Sequence, residues 1–253
     1  MSPVDPSPGW VGRVILLDIE GTTTPVEFVT EVLFPFARRR ASDFIRRHCD
    51  DGDVLADIES LKREHDEDRT RDLRPPSWED RSAGAEPASV HSYMVWLMNR
   101  DRKSTALKTL QGRIWEEGYL TGELRGEVYA DVPPALKRWR AQGRETCIFS
   151  SGSVLAQRLL FAHTNQGDLS GFIREYFDTA VGAKKAPSSY ARIAAALGVV
   201  PDGILFISDV VAELDAASSA GMQTLLCARA GPAEATPPAC DHLVITTFDQ
   251  VFP

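Results

Sequence analysis

The stretch Arg13-Val14-Ile15-Leu16-Leu17-Asp18-Ile19-Glu20-Gly21-Thr22-Thr23-Thr24 decides how the rest of the chain is read. Four apolar residues in a row, closed by an acid and followed by a glycine and three threonines, have the length of a strand that opens into a loop. The absence of polar alternation marks a strand buried on both faces, as in a parallel sheet covered by helices. Downstream of residue 131 the same grammar repeats. Helical spacing at 135–141, 155–161, 190–197 and 212–220 alternates with strand-like runs at 146–150, 204–207, 224–227 and 243–245. That alternation predicts an α/β fold, a doubly wound parallel sheet with helices on both faces.

The first strand lies about a hundred residues upstream of the others, and the segment between reads differently. Phe28, Val32, Phe36, Phe44 and Ile45 recur at helical intervals over 26–48, and Arg38, Arg39, Arg46 and Arg47 supply a solvated face. Helices are expected near 54–64, 89–99 and 105–117, and the polar 66–88 segment, with Pro75-Pro76, Gly84 and Pro87, reads as loop. The chain therefore divides into a loose tail at 1–12, a core at 13–24 and 126–253, and an all-helical cap at 25–125 inserted after strand one, placed like a lid.

The 253 residues carry 28 Lys and Arg against 36 Asp and Glu, a formal charge of −8. That balance argues against a general nucleic-acid binder or a surface drawn to anionic lipid. At 43% hydrophobic and 25% charged, the composition is that of a globular protein. No apolar run approaches the 18 residues of a spanning helix, and residues 1–11 lack the pattern of a secretory signal. Cys49, Cys147, Cys227 and Cys240 are dispersed, which reads as four reduced thiols in a cytoplasmic protein. Nothing demands self-association, so a monomer is expected. Dinucleotide, ATP-loop, zincin and serine-hydrolase motifs are absent, and His48, His65, His91, His163 and His242 show no ligand-like pairing.

In open parallel sheets ligands collect at the carboxyl ends of the strands. Three such ends carry polar residues: Asp18 and Glu20, then Ser150 and Ser151, then Asp209. Residues two apart in an extended segment face the same way, so Asp18 and Glu20 can address one point. One carboxylate would attack phosphorus while the second acid protonates the leaving oxygen and later activates water. The same pair also reads as a turn capping the next helix. Asp209, directly after a buried run, is placed to share a divalent cation with Asp18, or to serve as an N-cap. Mg2+ there would relieve the repulsion between a carboxylate and a phosphate dianion. Glu213, four residues on, reads as an exposed glutamate or as support for the metal site. Ser150-Ser151-Gly152-Ser153, between strand and helix, offers an anion cradle or a plain serine cap. Lys184 and Lys185 sit on a loop from which an ammonium could neutralise phosphate, or simply face water.

Taken in order, Asp-x-Glu-Gly-Thr, Ser-Ser-Gly-Ser, Lys and Ser-Asp-x-x-x-Glu resemble the haloacid dehalogenase-like phosphohydrolases. Within that superfamily three stretches are similar to the enolase-phosphatases (acireductone synthases) of methionine salvage: 17–25, Asp101-Arg102-Lys103-Ser104-Thr105-Ala106-Leu107-Lys108-Thr109-Leu110-Gln111-Gly112, and 150–157. The similarity runs from about residue 13 to 252. It implies enolisation and then dephosphorylation of 2,3-diketo-5-methylthiopentyl 1-phosphate to acireductone (1,2-dihydroxy-3-keto-5-methylthiopentene), a phosphorylated small-molecule substrate. By motif match Asp18 is nucleophile and Mg2+ ligand, Glu20 is acid/base and contributes to the metal site, and Asp209 is the remaining protein ligand. Ser150, Ser151 and Lys184 hold the phosphate. Glu20 stands where the superfamily usually has aspartate, a glutamate that the enolase-phosphatases share. Lys185-Ala186-Pro187-Ser188 replaces the acidic, serine-containing stretch expected after the lysine, which makes Lys184, rather than Lys185, the expected phosphate ligand. The alternative is a phosphatase of another small metabolite on the same fold, for which Arg100, Lys103 and Gln111 would be dispensable.

Overall fold

The computed structural model describes residues 12–81, 84–102, 104–229 and 241–253. The expected tail, apart from Gly12, and Lys103 and Cys240 lie outside the described residues. The chain forms two compact units, one from residues up to 29 together with those from 125 onward, the other from 30–124.

The first strand, β1 (Val14–Leu17), has no solvent exposure at any of its four side chains. Burying side chains of this size is worth about 1.5–3 kcal/mol each. A π-helical turn, Phe28–Leu33, leads into α1 (Phe34–His48) and α2 (Gly52–Thr70). A two-stranded antiparallel ribbon, β2 (Asp80–Arg81) and β3 (Gly84–Ala85), precedes α3 (Pro87–Met98) and α4 (Thr105–Leu120). The chain then runs through α5 (Val132–Ala141), β4 (Glu145–Phe149), α6 (Val154–Ala162), β5 (Ile173–Phe177) and α7 (Pro187–Leu197). It ends with β6 (Ile204–Ser208), α8 (Val211–Ser219), β7 (Gln223–Cys227) and β8 (Leu243–Ile245).

The six strands of the main sheet run parallel in the order β5-β4-β1-β6-β7-β8. On one face Val14 and Leu16 join Phe149, Ile204 and Phe206 in a core covered by Tyr190, Ile193 and Leu197 of α7 and Leu214 and Ala217 of α8. Ile15 and Leu17 alternate to the other face, where α5 lies against β4 and buries Trp139, whose Nε1 donates to the Val251 carbonyl at 2.9 Å. Leu17 pairs with Ile148 on one side and Ile207 on the other. One step further along, Asp18 therefore sits between Phe149 and Ser208, and its N–H donates to the Ile207 carbonyl at 3.0 Å.

Three elements differ from the sequence reading. The edge strand β5 is absent from it because Ile-Arg-Glu-Tyr-Phe places charges at its second and third residues, as edge strands do. The segment expected to be loop holds the short ribbon, and the helix expected near 54–64 extends over 19 residues. In the helical unit α1 packs on α3 and α4, and α2 on α3 and α4. Asp68, the one fully buried carboxylate among its described residues, accepts from Tyr93 Oη at 2.8 Å and from Arg102 at 3.0 Å. No helix among the described residues is long and apolar enough to cross a membrane.

Candidate active site

Asp18 is 2% exposed and its carboxylate caps no helix. Oδ1 accepts the Ile19 N–H at 2.7 Å and the Lys184 ammonium at 2.6 Å. Among the described residues Oδ2 meets the Ser208 hydroxyl alone, at 3.2 Å. That hydroxyl lies equally far, 3.2 Å, from Glu213 Oε2, so its one proton is divided between two acceptors. Oδ2 is thus the less occupied oxygen, and the one placed to attack an electrophile.

The chain after Asp18 folds back at once. The N–H groups of Thr22, Thr23 and Thr24 all point at the Ile19 carbonyl at 2.9–3.2 Å, and Gly21 N–H donates to the Thr24 carbonyl at 2.8 Å. Gly21 takes φ +71°, and a Cβ there would come within 2.6 Å of Asp209 Cγ. Glycine is required both by the left-handed backbone and by the close approach of the Asp209 carboxylate.

Lys184 reaches the strand ends from the loop between β5 and α7. Ser189 Oγ holds the Ala183 carbonyl at 2.7 Å, and Tyr190 Oη holds the Lys184 carbonyl at 2.6 Å. Tyr190 is itself fixed between Phe149 and Phe206. The Lys184 ammonium bridges Asp18 and, at 2.7 Å, Glu213. Burial works against the ammonium, but Asp18 and Glu213 outweigh it and its pKa lies above the ordinary lysine value. Lys185 points to solvent.

Ser150 is buried at the end of β4, with its N–H on the Phe177 carbonyl and its Oγ accepting the Gly152 N–H at 3.1 Å. Ser151 is exposed. Ser153, not Ser150, caps α6. Gln157, 1% exposed, donates from Nε2 to the carbonyls of Gly152 (2.7 Å) and Phe177 (2.9 Å), tying the loops after β4 and β5 together.

Asp18, Glu20, Asp209 and Glu213 bring four carboxylates to the strand ends, and among the described residues Lys184 is the cation paired with them. Burial first, and then the charge of Asp18, raise Glu20 above its ordinary value and push Asp209 up to about 6. Asp209 Oδ1 is buried without a hydrogen-bond partner. Among the described residues no three His, Cys, Asp or Glu side chains close into a ready cage. The donors on hand, oxygen only and few, fit Mg2+, which binds through one or two carboxylates and completes its shell with water and substrate phosphate. A cleft of about 490 Å³ in the helical unit, lined by His48, Asp51, Arg113 and Glu117 among others, offers no competing chemistry: Glu117 is bound by Arg47 and His48, and Arg113 by Asp57.

A haloacid dehalogenase-like hydrolase family model matches residues 13–221. The enolase-phosphatase E1 of Synechococcus elongatus is 48% identical over 237 residues, covering 94% of this chain and 96% of its own. The enolase-phosphatase E1 of Danio rerio is 41% identical, at 94% of each chain. The chain belongs to the enolase-phosphatase family of haloacid dehalogenase-like hydrolases. The crystal structure of the UTR4 protein of Saccharomyces cerevisiae, 32% identical, superposes with a TM-score of 0.76 over 94% of this chain and 99% of that one.

For this enolase-phosphatase the structure decides between the two readings left open for Glu213. Glu213 is no exposed helical glutamate; it is 7% exposed and shares Lys184 and Ser208 with Asp18. Ser208 and Gln157 carried no assigned role in sequence. Both lie in stretches that carry the resemblance, Ser208 opening the Ser-Asp-x-x-x-Glu run and Gln157 closing 150–157, but neither position says what its side chain would bond.

Proposed function

We propose that the protein converts 2,3-diketo-5-methylthiopentyl 1-phosphate to acireductone and phosphate in the methionine salvage route. The carrying observation is the near full-length similarity to enolase-phosphatases in a chain whose Lys184 and Ser208 bond the buried Asp18 carboxylate. In this reading Ser150, Ser151 and Lys184 hold the phosphate, and Asp18, Glu20 and Asp209 hold Mg2+. When bound, Mg2+ supplies the positive charge that offsets carboxylate–phosphate repulsion and favours the enolate oxygen.

Asp18 Oδ2 forms the new bond to phosphorus as the bond to the substrate oxygen breaks, and Glu20 gives its proton to that oxygen. Its raised pKa suits it to carry one. Water then attacks the acyl phosphate, Glu20 takes the water's proton, phosphate leaves and the Asp18 carboxylate is regenerated. Lys184, fixed by Glu213, offsets charge on the phosphoryl oxygens. The helical unit is assigned the role of cap. The enzyme is read as a cytoplasmic monomer, in keeping with its acidic composition and dispersed cysteines.

An anaerobic ultraviolet trace with the diketone phosphate, run beside a phosphate assay with and without Mg2+, tests this. A Mg2+-dependent enediol band rising with phosphate is expected, and Asp18→Asn should abolish phosphate release. Release from many unrelated phosphomonoesters without that band would overturn the reading in favour of a generalist phosphatase.

A further inference from the structure

Arg229 lies two residues past β7, with a side chain 9% exposed. Its guanidinium has three fixed attachments. Nε and one terminal nitrogen both donate to the Thr22 carbonyl, at 2.9 and 2.7 Å, and the other terminal nitrogen pairs with Asp131 at 2.5 Å. It lies over the rings of Tyr129, 4.3 Å away, and Phe248, 4.5 Å away. Asp131 is held in turn by the Thr247 hydroxyl at 2.9 Å and the Phe248 N–H at 2.6 Å.

The geometry points to Arg229 as a positioning residue for the acid pair: by clamping the Thr22 carbonyl it holds the turn that aims Glu20 beside Asp18. The turn is stapled internally through the Ile19 carbonyl, but its outer carbonyls need partners from elsewhere. Thr23 uses the Tyr129 N–H at 3.0 Å; for Thr22, which is fully buried, the donor among the described residues is the Arg229 fork. Two hydrogen bonds converging on one oxygen from a planar group packed against two aromatic rings restrict rotation as well as distance, which a lysine ammonium does not. With the fork gone, the turn would pivot about Ile19 and carry Glu20 and Gly21 with it, and Gly21 bears directly on Asp209. This inference rests on Glu20 as the proton carrier.

The test compares Arg229→Lys, Arg229→Ala and Glu20→Gln by steady-state kinetics on the diketone phosphate with Mg2+, alongside circular dichroism. Displacements near 1 Å at a reacting group cost up to roughly 100-fold in rate. Arg229→Lys is expected to fold, to lose roughly 10- to 100-fold in kcat and to keep KM within about 2-fold. Added guanidinium ion should restore part of kcat in Arg229→Ala and none in Glu20→Gln. Folded Arg229→Lys with the parental kcat overturns the inference, as does a loss fully accounted for by the unfolded fraction. Should Arg229→Ala not fold, the lysine variant decides alone. Glu20→Gln at full turnover overturns the acid assignment itself, whereas an inactive Glu20→Gln beside a fully active Arg229→Lys overturns only the positioning role.

Discussion

At Asp18 a buried carboxylate meets a buried ammonium, and neither is affordable without the other. Removing one partner of such a pair leaves an uncompensated charge and costs about 3–5 kcal/mol. Lys184→Met should therefore lower stability by that order in urea denaturation while also eliminating phosphate release; a variant as stable as the parent would contradict the buried pairing. Asp209 behaves oppositely, because folding raises its pKa to about 6. Its carboxyl binds a proton more tightly folded than unfolded, so the metal-free protein should lose stability as pH rises from about 4, the ordinary carboxylate range, through about 6, and level off above. Asp209→Asn should flatten that window in thermal melts, and Mg2+ should raise Tm at pH 7.5 more for the parent than for the variant. The carboxylates at 18, 20 and 209 were legible because each follows an apolar run. Glu213 was legible only as one of two alternatives, since a helical acid reads the same whether it faces water or a lysine. The Asp18–Lys184 contact spans 166 positions and the Asp18–Ser208 contact 190, beyond the reach of local pattern.

At the level of elements, the turn after β1 concentrates the constraints. Gly21→Ala places a Cβ against the Asp209 carboxylate and forces an L residue into the left-handed region, a strain of roughly 1–2 kcal/mol. The expected outcome is a folded protein with reduced kcat and a higher Mg2+ requirement, read by titrating Mg2+ in the phosphate assay. Unchanged Mg2+ dependence would show that Asp209 is free to move without consequence. The central strands were readable because both faces are buried, which removes polar alternation. β5 was not, because an edge position tolerates the charges of Arg174 and Glu175. The ribbon at Asp80–Arg81 and Gly84–Ala85 is too short for periodicity to register.

At the level of the whole molecule, the two units have separate cores, and the helical one is anchored by a charge. Arg102→Met should lower Tm sharply in calorimetry, since Asp68 would keep Tyr93 but lose its cation. A change within experimental error would contradict the anchoring role of the Asp68–Arg102 pair.

The strand order also has a temporal side. β1 lies at the middle of the sheet, yet its neighbours arrive 131 residues later at Ile148 and 190 residues later at Ile207. At 5–20 residues per second on the ribosome, β1 waits roughly 10–40 s for its second partner. The helical unit, all of it made in that interval, has local contacts that form fast, whereas the sheet must close long loops. Asp18, the proposed nucleophile, is thus made long before the strand that completes its surroundings, and a nascent chain that stalls before residue 209 carries it without its full complement of acids.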